Sequence, residues 1–150
     1  MRSGEERFVV FAALLVGLLM GANQTIDGEP TAVPVSYIYW VLRIFVEAAL
    51  FFAIRLGVEK FAPKSTGALV IVAIAIVLSH LIFVPMITAI DIVMGFPELG
   101  IGSTDPLEMG RQAAFAWELV YLLDNHIFLC LLLSLPRLIG RLSTEIGAGA

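Results

Sequence analysis

Charged residues are scarce in this sequence: only 15% of its 150 residues are Asp, Glu, Lys or Arg, whereas 59% are hydrophobic. Soluble domains have about 25% charged residues and roughly half apolar ones. The mean hydropathy of +0.96 departs from a soluble composition in the same direction. This shortage of charge excludes an ordinary water-soluble domain and predicts a protein that is surrounded by lipid.

Cysteine is nearly absent, since Cys130 is the only one in the chain. A single cysteine excludes an internal disulfide, and its position in an apolar run predicts a small buried side chain. Basic residues are too few to balance the acidic ones, which gives a net charge of -4 and a pI of about 5.0. That balance argues against direct contact between this chain and nucleic-acid phosphates.

Motifs of soluble enzymes are missing as well. No nucleophile elbow surrounds Ser36, Ser79 or Ser134. The sequence also has no Gly-rich phosphate loop, no C-x-x-C pair and no H-E-x-x-H metal motif. We therefore predict that the chain is not an enzyme and carries no cofactor, while the residue pattern leaves open whether it binds a metal.

Four long apolar runs are what the sequence does contain. A helix that crosses a membrane needs about 20 mainly apolar residues. The predicted fold class is an all-α integral membrane protein, a single four-transmembrane-helix bundle in residues 1–150. Its spans are predicted at about 8–24, 36–56, 67–94 and 112–135.

Prolines and the first apolar run bear on where these spans end. Pro85 predicts a kink in the third span, and Pro136 predicts that the fourth span stops or bends, which leaves 136–150 as a cytoplasmic linker. The first run also permits a cleaved signal peptide. The acidic residues before that run, and Met20 close to a candidate cut after Ala22, fit this alternative poorly and favour a retained span.

The distribution of Lys and Arg predicts the orientation of the bundle, because cytoplasmic loops are enriched in these residues. Arg111 alone falls on the opposite side, and Arg43 lies inside the second span. The predicted orientation therefore has both termini in the cytoplasm. The residues on the cytoplasmic side are Arg2, Arg7, Arg55, Lys60, Lys64, Arg137 and Arg141.

Charged and histidine side chains interrupt the predicted spans. Arg43 and Glu47 are four residues apart, so they share one face of the second helix and permit an internal ion pair. Such groups are expensive inside a membrane and generally face the bundle interior or a cavity. A cluster that links the second, third and fourth helices is therefore predicted as a candidate ligand- or ion-sensing group. Its members are Arg43, Glu47, His80, Glu118, Asp124 and His126.

Several interpretations of this cluster are open. Asp124 and His126 are about 200° apart around a helix, so they do not both point at one ligand. Carboxylates and imidazoles together bind divalent cations, relay protons or respond to pH. The alternatives are structural polar packing, sensing of a ligand or ion, and transport or catalysis.

The order of sequence features resembles that of a known membrane module. The first span ends in the small-residue turn GLLMGANQ, the second opens with the aromatic segment SYIYWVLRI, and the fourth leads into PRLIGRLSTEIGAGA. The chain is similar to the membrane segment that precedes the DNA-binding domain in LytTR-type transcription regulators of alphaproteobacteria. The resemblance rests on hydropathy order and a few aromatic and small residues, so it transfers no residue roles.

The resemblance implies an anchor, and a signal sensor, in the bacterial inner membrane. DNA would be contacted only through a C-terminal LytTR domain, which does not lie within these 150 residues. The expected partners are the lipid bilayer, a small ligand or ion of unknown identity, and a second copy of the chain in a homo-oligomer. The alternative function is a small oligomeric ion or proton transporter or channel subunit.

Overall fold

The computed structural model describes residues 2–26, 33–94, 116 and 119–148, and this part of the chain is helical apart from short turns. The long apolar runs form long helices because no helix breaker interrupts them except Pro85 in the third run and Pro136 at the end of the fourth. The prediction of an all-α protein is confirmed for the described residues. The long helices are α1 (Arg2–Ile26), α2 (Val33–Phe61), α3 (Ala68–Met94) and α4 (Leu123–Ala148).

Three of the predicted spans coincide with parts of these helices. The span at 8–24 lies within α1, the span at 36–56 lies within α2, and the third span ends with α3 at Met94. The start of the fourth span, near 112, lies outside the described residues. Helical residues 119–121 lead through a turn at Leu122 into α4.

Pro136 does not end α4, which continues through it to Ala148. Of the two outcomes predicted for this proline, a stop is therefore wrong, and residues 136–148 continue the helix. A proline removes one helical N–H donor and strains the preceding turn. In that turn the Ser134 hydroxyl donates to the carbonyl of Cys130 at 2.8 Å. Pro85 likewise lies inside the continuous helix α3.

α1 and α2 are antiparallel and approach each other closely at two glycines. A Cβ atom added to Gly17 would lie 2.8 Å from the Val41 Cα, and one added to Gly21 would lie 2.8 Å from the Tyr37 ring. The spacing of four residues in both helices puts these contacts on one face of each. Small residues at this spacing let two helix backbones pack together, here within one chain.

α2 and α4 run in the same direction, because two ionic contacts join them in the same order along both helices. Glu47 contacts His126, and Glu59 further along α2 contacts Arg137 further along α4. Neighbouring contacts link α1 to α2, α2 to α3, α3 to α4 and α4 to α1, with a smaller interface between α2 and α4. The described helices therefore form an up-and-down bundle. We call the end with Glu59 and Arg137 the basic end.

The bundle is apolar outside and carries polar groups inside. Every exposed side chain that the structure describes on α3 is apolar, whereas Ser79 and His80 of the same helix are buried. The apolar core nearby comprises Ala12, Ala13, Ile44, Ala48, Phe51, Val72, Ala75, Ile76, Leu129, Cys130 and Leu133. Large apolar side chains are exposed on each of the four helices. In a soluble bundle, by contrast, polar side chains cover most of the outer surface.

Among the described residues, two helices are long and apolar enough, by length and composition, to cross a membrane. They cover Ala68–Ala89 in α3, with a mean hydropathy of 2.8, and Leu123–Gly140 in α4, with a mean hydropathy of 1.3. α2 is long enough, but it carries charged side chains, including Arg43, Glu47 and Arg55, along its length.

Candidate functional site

Three polar side chains from three helices meet in the bundle interior. The Nδ1 atom of His126 in α4 lies 2.6 Å from the Glu47 Oε1 atom in α2, and its Nε2 atom lies 2.9 Å from the Ser79 Oγ atom in α3. Only 5% of Glu47 is exposed, and His126 and Ser79 are fully buried. We call Glu47, His126 and Ser79 the central network.

The hydrogen bonds of the central network depend on which ring nitrogen of His126 carries the proton. The Ser79 hydroxyl donates to the Ile76 carbonyl at 3.1 Å, and the same carbonyl lies 3.2 Å from His126 Nε2. A proton on Nε2 would be donated towards Ser79 and Ile76, whereas a proton on Nδ1 would be donated to the Glu47 carboxylate. The ring therefore lies between a carboxylate on α2 and a hydroxyl on α3.

Aromatic and sulfur groups enclose the His126 ring. The Phe83 ring stacks on it with centroids 5.7 Å apart and an interplanar angle of 19°, and the His80 ring lies 5.0 Å away. Cys130 Sγ, one turn along α4, lies 3.5 Å from His126 Nε2. This packing holds the imidazole in one orientation, as a histidine that links helices requires.

His80 belongs to the same region but makes a separate hydrogen bond. Its Nε2 atom lies 2.7 Å from the Leu119 carbonyl oxygen, to which it donates. Its Nδ1 atom is buried and has no hydrogen-bond partner among the described residues. Because an unpaired buried polar atom is unfavourable, a small hydrogen-bond donor placed next to this nitrogen would be stabilised.

Arg43 lies one turn from Glu47 on α2 and is also buried. Its Nη1 atom donates to the Tyr39 hydroxyl at 2.6 Å. The guanidinium carbon lies 5.1 Å from the centre of the Trp40 ring and 5.9 Å from that of Phe83. Cation–π contacts of this kind stabilise a buried guanidinium group. The predicted common face of Arg43 and Glu47 is therefore the face that points into the bundle.

A cavity of about 240 Å³ adjoins the central network and has walls from all four helices. Arg43 and Glu47 contribute its charged groups. Tyr121 and Asn125, which are exposed, lie on its α4 side. Mixed apolar and polar walls of this kind suit a small amphipathic ligand. The remaining wall residues are Val16, Met20, Trp40, Ile44, Phe83, Leu122, Phe128 and Leu129.

The six predicted site residues do not all come together. Arg43, Glu47, His80 and His126 are buried close to one another, whereas Asp124 is exposed, and its Oδ1 atom accepts the Asn125 amide at 2.7 Å. The opposite orientations of Asp124 and His126 agree with the angle predicted between them. Glu118 lies outside the described residues.

A second group of charges, at the basic end, was not singled out from the sequence. Arg55 is 1% exposed, and its Nη2 atom lies 2.7 Å from the Glu5 Oε1 atom. Glu59 Oε1 lies 3.7 Å from the Arg55 Nε atom and 3.1 Å from the Arg137 Nη2 atom. We call Glu5, Arg55, Glu59 and Arg137 the basic-end cluster. It joins α1, α2 and α4.

A repeating spacing in the sequence could have predicted that the residues of the basic-end cluster face inward. On α2, Arg43, Glu47, Arg55 and Glu59 all fall on one line of four-residue steps. On α4, steps of four, four and three residues connect a further set that faces inward. That set is His126, Cys130, Ser134 and Arg137.

The order of carboxylate, imidazole and hydroxyl in the central network resembles that of hydrolase triads. Ser79 is fully buried, and its hydroxyl is already bonded to Ile76. A nucleophile needs a free hydroxyl next to a space for substrate. The wall of the adjoining cavity includes Glu47 but neither Ser79 nor His126. Ser79 therefore does not meet the geometric requirements for a nucleophile in this structure.

Within the described part of the chain, no group of three or more His, Cys, Asp or Glu side chains is placed to hold a metal ion. Comparison with known proteins adds no family assignment: no protein-family model, curated protein or solved structure matches this chain.

Proposed function

We propose that this chain is a multi-pass protein of the bacterial inner membrane, whose four-helix bundle anchors a LytTR-type transcription regulator and senses a small ligand or ion for it. One observation carries the sensing role. The buried central network joins three helices beside a cavity whose wall includes its own carboxylate, Glu47. A ligand or proton that changes the Glu47–His126 contact acts on the packing of α2 against α4.

The distribution of polar and apolar side chains supports the membrane location. Buried charges and exposed apolar faces suit lipid surroundings, because lipid leaves buried polar groups to satisfy one another. The ion pair between Glu5 and Arg55 and the close packing at Gly17 favour a first helix that is retained in the bundle. The chain ends and the α2–α3 connection share the basic end, which is cytoplasmic in the proposed orientation.

Cysteine labelling tests the location and orientation. In a Cys130→Ala parent, single cysteines replace Asn23, at the end of α1, and Lys64, in the α2–α3 connection. A membrane-impermeant maleimide is expected to label the first in spheroplasts and the second only in inverted vesicles. Labelling of both from the same side, or release of the protein by carbonate washing, contradicts the four-span arrangement.

A reporter assay tests the sensing role apart from the membrane location. A LytTR DNA-binding domain is joined after Ala150, and transcription is measured from a promoter carrying its binding site. Glu47→Gln and His126→Gln are expected to change the basal output several-fold at equal membrane abundance. Asp124→Asn, an exposed change of the same chemical kind, is the matched control. Equal output from all these variants contradicts the proposal.

A second candidate function is an oligomeric ion or proton transporter. The inward-facing steps on α2 and α4 favour it, because polar side chains follow one another along both helices. Phe51 and Leu133, each 1% exposed, fill the interior between the central network and the basic-end cluster. This apolar layer separates the two polar groups within one chain. Proton flux in proteoliposomes that Glu47→Gln abolishes would favour transport over sensing.

A further inference from the structure

α2 and α4 are joined by two bridges, each between a carboxylate and a nitrogen-bearing side chain. In each bridge α2 supplies the carboxylate and α4 supplies the nitrogen base, Glu47 with His126 and Glu59 with Arg137. The carboxylates are about 18 Å apart along α2, and the bases are about 16 Å apart along α4, at 1.5 Å per residue. The spacings agree, so both bridges form at one axial register of the two helices.

Within the α2–α4 interface little else fixes that register, whereas the other sides of α4 pack against α3 and α1. The interface between α2 and α4 is small compared with that between α1 and α2. Between the two bridges lie apolar side chains such as Phe51 and Leu133. Apolar contacts have no directional preference, whereas the Glu47–His126 hydrogen bond specifies both distance and direction, and the Glu59–Arg137 ion pair specifies distance.

The bridge at the basic end is fixed to the rest of the bundle. Arg55, buried beneath it, contacts Glu59 on its own helix and Glu5 on α1. The guanidinium carbon also lies 4.5 Å from the centre of the Phe52 ring. Glu59 is therefore held on the α1–α2 pair, and Arg137 is the group that moves if α4 moves.

We infer that the two bridges act as one device, which transmits the state of the Glu47–His126 bridge to the part of α4 beyond Arg137. α4 is a continuous helix from His126 to Ala148, so loss of the Glu47–His126 bridge frees the helix to shift or rotate as a unit. The Glu59–Arg137 bridge then limits how far the C-terminal part of α4 moves. This inference goes beyond the sensing role and does not depend on the LytTR resemblance.

Distance measurements between spin labels test this device in the full chain, reconstituted in lipid nanodiscs. In the Cys130→Ala parent, labels replace the exposed residues Leu56 on α2 and Ile139 on α4. Glu47→Gln is expected to shift the distance distribution and to broaden it about twofold, because more than one register becomes populated. The substituted carboxylate lies about 20 Å from the α4 label along the helix axis.

Two comparisons separate this mechanism from general loosening. A second label pair, at Phe11 and Leu56, reports on α1 and α2 and is expected to stay unchanged in Glu47→Gln. Gly17→Ala, which perturbs the α1–α2 contact, is expected to leave the α2–α4 distance as in the parent. If Glu47→Gln does not fold, His126→Gln breaks the same bridge and has the same expected result.

The inference is overturned if the distance distribution between the labels on α2 and α4 is the same in the parent and in the variant that lacks the Glu47–His126 bridge. It is also overturned if Gly17→Ala broadens that distribution as much as Glu47→Gln does. Because the readout is a distance, either result leaves the reporter assay of the proposed function independent.

Discussion

The α1–α2 interface and the α2–α4 interface are held together by different physics. α1 packs on α2 through glycines whose missing side chains let the backbones meet, as Gly17 does at Val41. α4 meets α2 mainly through the pairs Glu47–His126 and Glu59–Arg137. The first interface combines this fit of shape with the Glu5–Arg55 ion pair at the basic end, whereas the second depends on its two polar pairs.

That difference separates a fixed part of the molecule from an adjustable part. A backbone contact at a glycine does not respond to pH or to a ligand, because it has no group that titrates or exchanges partners. In the proposed sensing mechanism, a ligand or proton acts on the Glu47–His126 contact instead. α1 and α2 then form the frame, and α4 is the element that the signal displaces.

The largest expected effect comes from breaking one partner of the central network. His126→Leu leaves the Glu47 carboxylate buried without its partner, and we expect the free energy of unfolding to fall by about 3 kcal/mol. The measurement is reversible unfolding by SDS in mixed micelles, followed by far-UV circular dichroism. A fall no larger than that of an exposed substitution would contradict the pairing.

Replacing both partners of this pair sharpens the comparison. The double variant Glu47→Leu, His126→Leu removes the buried charge together with its partner, so it is expected to recover most of the stability lost by His126→Leu. It is nevertheless expected to lose the reporter response. Stability and signalling should therefore separate in this variant, whereas a change in the α1–α2 frame should affect stability alone.

A smaller effect is expected at the glycine contact. Gly17→Ala forces a methyl group against the Val41 backbone, and we expect a loss of about 2 kcal/mol in the free energy of unfolding. Gly57→Ala is the matched control, because nothing lies within 4 Å of its added Cβ atom. Alanine is the better helix former, so this control should gain about 0.5 kcal/mol. Equal effects at the two positions would contradict the close contact.

The smallest effect is expected at the partly exposed Glu59–Arg137 bridge. Arg137→Gln removes the cation that contacts Glu59, and we expect a loss of about 0.5 kcal/mol, because solvent screens such pairs. Arg137→Lys keeps the charge and should retain most of that stability. Raising the salt concentration should shrink the difference between these two variants. A salt-independent difference would indicate a packing role for Arg137 instead.

Much of the fold was predictable because the apolar runs are long and clear. The helices around 8–24, 36–56 and 67–94 follow from hydropathy alone. The end of the last helix did not follow, since proline is a strong breaker only where its lost hydrogen bond and its strain are left uncompensated. At Pro136 the helix continues regardless.

The candidate site was predictable only in part. The four-residue spacing of Arg43 and Glu47 indicated a shared inward face, and His80 and His126 were recognised as unusual for apolar helices. Ser79 and Cys130 were not predicted as members, because small polar side chains are common in buried helices and carry no special pattern. Arg55 was counted only among the basic residues of the cytoplasmic side, although it is buried and contacts Glu59.

The sequence by itself determined the helical class, the apolar exterior and the clustering of basic residues at one end. These properties depend on composition and on periodicity along the chain, which are local. Only the tertiary structure decided that Glu47 contacts His126, that Asp124 faces outward, and that Glu59 lies between Arg55 and Arg137. Such pairings depend on the register and rotation of one helix against another, which are set by packing between segments far apart in the chain.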